Sequence, residues 1–84
     1  MKWYVYILKL ADESYYTGTT NNIDKRMKMH RSGKGSKYVR SRLPLAIVYV
    51  EEFENRSEAC KREYQIKQMD RIQKISLISA GFRV

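Results

Sequence analysis

Residues 3–20, WYVYILKLADESYYTGTT, decide the fold. Their first eight positions are dominated by aromatic and β-branched side chains and hold neither Gly nor Pro, so they read as a buried strand. ADES (11–14) supplies turn residues, and SYYTGTT (14–20) reads as a second strand, which makes the whole stretch a β-hairpin. Gly18 inside that second strand points to a bulge or to the close approach of another backbone.

The rest of the chain is read outward from this hairpin. Asn21 or Asn22 is a suitable N-cap, opening a helix through IDKRMKMHR (23–31). Ile23, Met27 and His30 fall on one face of it. SGKGSKYVRSR (32–42) reads as a basic loop that Pro44 closes, and LAIVYVEEF (45–53) as a third strand with an apolar centre. Asn55 or Ser57 caps a second helix through SEACKREYQIKQM (57–69), with Glu58 placed where the helix dipole favours a negative charge. A third short helix is expected over 70–79, with Gly81 marking its end. The order ββαβα(α) is that of a small α/β sandwich, a three-stranded sheet flanked by helices. At 84 residues the expectation is one domain over 1–84.

Charge narrows the function. The formal net charge is +8, and it is concentrated. Residues 21–44 hold eight basic side chains (Lys25, Arg26, Lys28, Arg31, Lys34, Lys37, Arg40 and Arg42) against one acid, Asp24, which leaves about one net charge for all the others. A block of this kind is an electrostatic footprint for a polyanion, and nucleic acid is the leading candidate. One cysteine, Cys60, forbids an internal disulfide and points to a reducing compartment. One Cys and one His cannot build a zinc finger or knuckle. Lys9 interrupts the apolar run near the N-terminus, leaving it too short for a signal core or a membrane span. A cytoplasmic protein that does not engage the membrane is expected. GKGSK (33–37) lacks the glycine that a phosphate-binding P-loop requires five positions before its Gly-Lys pair, where Lys28 stands.

Glu63 raises the sharper question. On a helical wheel it lies roughly 40° from Ala59 and 60° from Ile66, the residues expected to face the sheet, at about 100° per residue. A carboxylate turned toward an apolar layer needs compensation. Lys67 one turn on, an arginine of the first helix and a divalent metal are the candidates, and the helix alone favours Lys67. His30, aligned with Ile23 and Met27, reads by itself as a core residue bonded to a backbone group. Tyr4, Tyr6 and Tyr16 read as core filling whose hydroxyls reach the edge.

Taken together these residues resemble the GIY-YIG endonuclease family, which includes excision-repair incision subunits, homing endonucleases and some restriction enzymes. Tyr4-Val5-Tyr6 matches the first signature triplet and Tyr16-Thr17-Gly18 the second. Arg26 matches the family's helical arginine, His30 its histidine one turn later, and Glu63 in KREYQIK its metal-binding glutamate. The likeness covers residues 3 to 75, and is nearest to small single-domain bacterial members. It departs from the family pattern in the first triplet, which keeps only Tyr6, and at Lys74, Ile75 and Ser76, where many active members carry an asparagine.

What the resemblance implies is a metal-dependent endonuclease that hydrolyses phosphodiester bonds of DNA, structure-directed or non-specific, with RNA left open. Glu63 would hold one Mg²⁺ or Mn²⁺, Arg26 would meet the non-bridging phosphate oxygens, and Tyr16 would position Tyr6 or the phosphate. The general base is left between Tyr6 and His30. Lys25, Lys28, Arg31, Lys34, Lys37, Arg40 and Arg42 would hold the nucleic-acid backbone, with Gly18 and Lys67 as structural residues. A weakly catalytic binding module of the same fold and a subunit that acts beside a protein partner are the alternatives.

Overall fold

The structure is a computed structural model that describes residues 2–81. Strands β1 (Trp3–Leu10), β2 (Tyr15–Thr20) and β3 (Leu45–Phe53) form one antiparallel sheet in the order β2-β1-β3. The apolar run at the start of the chain therefore becomes the central strand, the position with least access to water. Its hairpin with β2 closes through Leu10 N–H donating to the Ser14 carbonyl at 2.9 Å.

Alternation along β1 divides the interior into two layers. Val5 and Ile7 join Tyr49, Ala59 and Ile66 on one face. Tyr6, Leu8 and Leu10 join Met27 and Val39 on the other. Helices α3 (Arg56–Lys67) and α4 (Arg71–Gly81) cover the first face, and α1 (Ile23–Arg31) with α2 (Lys37–Arg40) the second. The small α/β sandwich is thus as expected, with helices on both sides. Each fully buried Val, Leu or Ile contributes roughly 1.5–3 kcal/mol, so in so short a chain both layers are needed.

Side-chain caps set the helix starts. Asn22 accepts from the Lys25 amide at 3.0 Å, and Asn55 from the Glu58 amide at 2.9 Å. At α4 the Gln73 amide donates to Asp70 Oδ1 at 2.8 Å, while Gln73 Oε1 accepts from the Asp70 amide at 3.0 Å. That reciprocal pair is a capping box.

The structure corrects the sequence reading in two places. The segment 32–42 is not all loop: Ser36 accepts from the Tyr38 amide and starts the single turn α2, which buries Val39. At Gly18 there is no bulge, and the atoms nearest to a Cβ added there belong to a side chain, not to a backbone. Pairing runs unbroken through Tyr6↔Gly18, and the irregularity lies between Ile7 and Leu8 on the β3 side. What approaches Gly18 is the Tyr6 side chain, whose Oη would lie 2.4 Å from a Cβ added there. Gly81 is the last residue of α4, and the positions after it lie outside the described residues. Among the described residues no helix is long and apolar enough to cross a membrane.

Candidate nucleic-acid active site

Three elements bring the aromatic and basic candidates together on the α1 side of the sheet. β1 supplies Tyr6, β2 supplies Tyr16, and α1 supplies Arg26 and His30. Tyr6 Oη lies 2.9 Å from His30 Nε2, and both side chains are buried, at 0% and 1% exposure. His30 is therefore a core residue whose partner is a phenol rather than a backbone group. Its Nδ1 has no hydrogen-bond partner among the described residues. Tyr16 packs edge-on against the imidazole, with ring centroids 5.5 Å apart, and lies 6.5 Å from the Tyr6 ring. Arg26 and Tyr16 are partly exposed, so they form the outer layer over the phenol–imidazole pair.

Burial sets the protonation states of that pair. It pushes the Tyr6 phenol well above its ordinary value; Tyr16 and Glu63 add to the effect, and the Arg26 guanidinium opposes it. Burial, aided by the positive charge of Arg26, also lowers the His30 pKa. At neutral pH the pair is thus a protonated phenol beside a neutral imidazole. The imidazole has one ring nitrogen free to accept.

Glu63 comes from the opposite side. Thr19 pairs with Val5, so its side chain points to the α3 layer. There its hydroxyl donates to Glu63 Oε1 at 2.9 Å. Lys67 Nζ sits 2.7 Å from Glu63 Oε2, the pairing that helical spacing favours. The Glu63 charge is still felt at the Tyr6 phenol.

The basic residues divide. Lys25, Lys28, Arg31, Lys34, Lys37 and Arg40 are exposed on α1, α2 and the segment between them. Lys25 and Arg26 also line a cavity of about 170 Å³ at the start of α1. Arg42 differs. Its Nε donates to Asp12 Oδ2 at 2.8 Å, its Nη1 to the Tyr38 carbonyl at 3.1 Å, and its guanidinium lies 3.8 Å above the Tyr38 ring. That arginine ties the loop to the hairpin turn, leaving six residues of the predicted set with exposed cationic heads.

Three contributors escaped the sequence reading. Thr19 holds Glu63, Tyr38 stacks on Tyr16 at 6.3 Å, and Gly35 lies against His30, where an added Cβ would sit 2.5 Å from Nδ1. The aromatic in a basic segment was a legible hint for Tyr38. Nothing local marks the other two.

The model of the GIY-YIG catalytic domain matches residues 2–75. The chain belongs to the GIY-YIG family. That family is one of nucleases acting on nucleic acid, generally with divalent metal ions. Several small proteins are similar over most of their length. A UPF0213 protein of Clostridium perfringens is 58% identical over 77 residues, which is 92% of this chain and 83% of that protein. One from Oceanobacillus iheyensis is 53% identical over 75 residues, 89% and 87% of the two chains. Among solved structures, the solution NMR structure of a Bacillus halodurans UPF0213 protein has a TM-score of 0.63 at 45% identity. It covers 95% of this chain and 85% of that one. The solution NMR structure of a protein from E. faecalis gives 0.67 at 37% identity with the same coverage.

The donor set bears on the family's metal. Among the described residues no three His, Cys, Asp or Glu side chains converge on one point. A metal held at Glu63 would thus have one carboxylate among its ligands. Such a set fits a hard cation like Mg²⁺ or Mn²⁺ that keeps most of its waters and takes further oxygens from a phosphate. It does not fit a closed structural zinc site.

Proposed function

We propose that this chain is a metal-dependent endonuclease that hydrolyses phosphodiester bonds of DNA through Tyr6, Tyr16, Arg26, His30 and Glu63. The observation that carries the reading is the Tyr6–His30 contact, a phenol 2.9 Å from a neutral imidazole nitrogen, with a guanidinium and a carboxylate near enough to perturb the same phenol.

The geometry supports the following division of roles. Tyr6 takes the proton of the attacking water as its own hydroxyl proton passes to His30 Nε2, so neither group has to ionise beforehand. This joins the two candidate bases in one relay and avoids forming a tyrosinate, which burial disfavours. General-base help of this kind contributes roughly 10²–10⁴-fold. Arg26, in the outer layer, meets the non-bridging oxygens with planar donors. Tyr16 buttresses the imidazole and borders the approach to it. Bound at Glu63, a divalent ion would neutralise charge on the phosphate and on the leaving oxygen. Lys25, Lys28, Arg31, Lys34, Lys37 and Arg40 hold the flanking backbone, a form of binding with little base choice.

Supercoiled plasmid with Mg²⁺ or Mn²⁺ tests the reading directly. Nicking is expected from the wild type and its loss from Glu63→Ala. Intact plasmid with the wild type, or undiminished nicking by the variant, rules the catalytic role out.

One set of observations favours a second reading, a binding module with weak catalysis. Tyr6 and His30 are sealed from solvent, and both Glu63 oxygens are already engaged. Metal-independent binding that weakens steeply with salt, with no cleavage, selects that alternative.

A further inference from the structure

We infer that Lys67 is a resident counter-ion of Glu63, and that its ammonium must leave before a divalent cation can be held there. Lys67 thereby sets the metal affinity of the site. This inference rests on the reading of Glu63 as the metal ligand.

Both carboxylate oxygens have partners, but the partners differ in kind. Oε1 accepts from the Thr19 hydroxyl at 2.9 Å, and Thr19 is fixed in β2 by its pairing with Val5. A neutral donor on one oxygen orients the carboxylate and leaves the other oxygen available. Oε2 faces the Lys67 ammonium at 2.7 Å. A divalent ion on that same oxygen would stand against a positive charge, so the two cations exclude each other.

Exposure decides which partner moves. The Glu63 side chain is 19% exposed and the Lys67 side chain 54%. A lysine head on a flexible four-carbon stem can turn into water without any change in α3. Glu63, held from β2 and packed at the sheet edge, stays. The site therefore has two cation states: one filled by the chain itself, which neutralises a half-buried acid, and one filled from solution. Competition between them lowers the apparent affinity for the ion.

The test is Mn²⁺ binding, read from the electron paramagnetic resonance signal of the free ion, with circular dichroism confirming that each variant is folded. Lys67→Met keeps the stem and removes the charge. It should tighten Mn²⁺ binding about three- to five-fold, the scale of a partly exposed ion pair. Glu63→Gln should abolish binding with or without Lys67→Met. A purely structural lysine would weaken the site when replaced, so tightening is the distinguishing sign. Glu63-dependent binding that appears only in Lys67→Met also supports the inference. Glu63-dependent binding that is unchanged or weaker in Lys67→Met overturns the inference while leaving the metal ligand in place. Wild-type binding that survives Glu63→Gln, or no binding by either wild type or Lys67→Met, overturns both.

Discussion

Tyr6 on β1 and His30 on α1 join the sheet to its covering helix through one buried contact of 2.9 Å. The same contact fills the α1-side layer and carries the proposed proton relay, so stability and chemistry are linked at that point. Tyr6→Phe separates them. It keeps the ring and removes the hydroxyl, leaving a buried imidazole nitrogen without its partner. Such a loss costs about 1–3 kcal/mol. Nicking should fall by roughly 10²–10⁴-fold under conditions where the variant is still folded. Urea denaturation and a plasmid assay on the same preparation check both numbers.

Gly18→Ala should be more damaging than a change from glycine to alanine in a strand ordinarily is. The new Cβ would meet Tyr6 Oη at 2.4 Å and Cζ at 2.6 Å, and Tyr6 has nowhere to go within a filled layer. Overpacking costs about 1–3 kcal/mol and here also drives the phenol off His30. Gly33→Ala is the comparison. Gly33 has φ +82°, and a Cβ added there would make only van der Waals contact, at 3.4 Å, with the Arg40 side chain, so its backbone strain should cost about 1 kcal/mol with the site intact. Nicking measured at equal folded fraction should fall in the first variant and persist in the second.

Stability should depend on pH at both ends of the range. Burial lowers the folded-state pKa of His30 from 6.5. Above 6.5 folded and unfolded chains are both neutral there; as pH falls below it, the unfolded chain gains a proton that the folded chain resists. Stability is therefore full above 6.5 and declines on acidification toward the folded-state value. Tyr6 runs the other way. Its pKa is raised from 10.0, so stability is lost as pH rises above 10. The melting temperature should fall in both directions, and His30→Gln should remove the part of the acid loss that begins just below 6.5, leaving the loss at lower pH that comes from the lowered Asp12 and Glu54 carboxyls.

Salt dependence separates the cations. Lys34→Ala with Lys37→Ala removes two exposed charges, and the slope of log affinity against log salt should shrink by up to about 1.8, at about 0.9 per phosphate contact on duplex DNA. Arg42→Ala should leave that slope nearly unchanged and lower the melting temperature instead, because its guanidinium is committed to Asp12 and Tyr38. Fluorescence anisotropy at several salt concentrations distinguishes the two classes.

What the sequence made legible was whatever depends on local pattern. The Trp3–Leu10 run, the turn at 11–14 and the helix through His30 are set by periodicity and capping, and they lie where expected. The α2 turn was missed because two glycines and four basic residues look like loop, whereas Ser36 and the burial of Val39 override that composition. The proximity of Tyr6, Tyr16, Arg26 and His30 followed from a family pattern, not from spacing. Thr19 matters through Glu63, 44 residues away, a kind of contact that no local window contains, and Gly35 matters through the imidazole of His30 five positions earlier, where nothing in the basic run marks the approach. Arg42 illustrates the converse: it counts as one more positive charge in the sequence, and the fold spends it on a staple.

The alternating loyalties of β1 have a consequence for how this protein can fail. Its even-numbered positions from Tyr6 to Leu10 serve one layer, while Val5 and Ile7 serve the other, so sliding the strand by a single place would trade every occupant across the sheet. The phenol would then emerge among the α3 side chains, out of reach of its imidazole. The register that keeps the core buried is therefore the same one that brings the phenol to its imidazole.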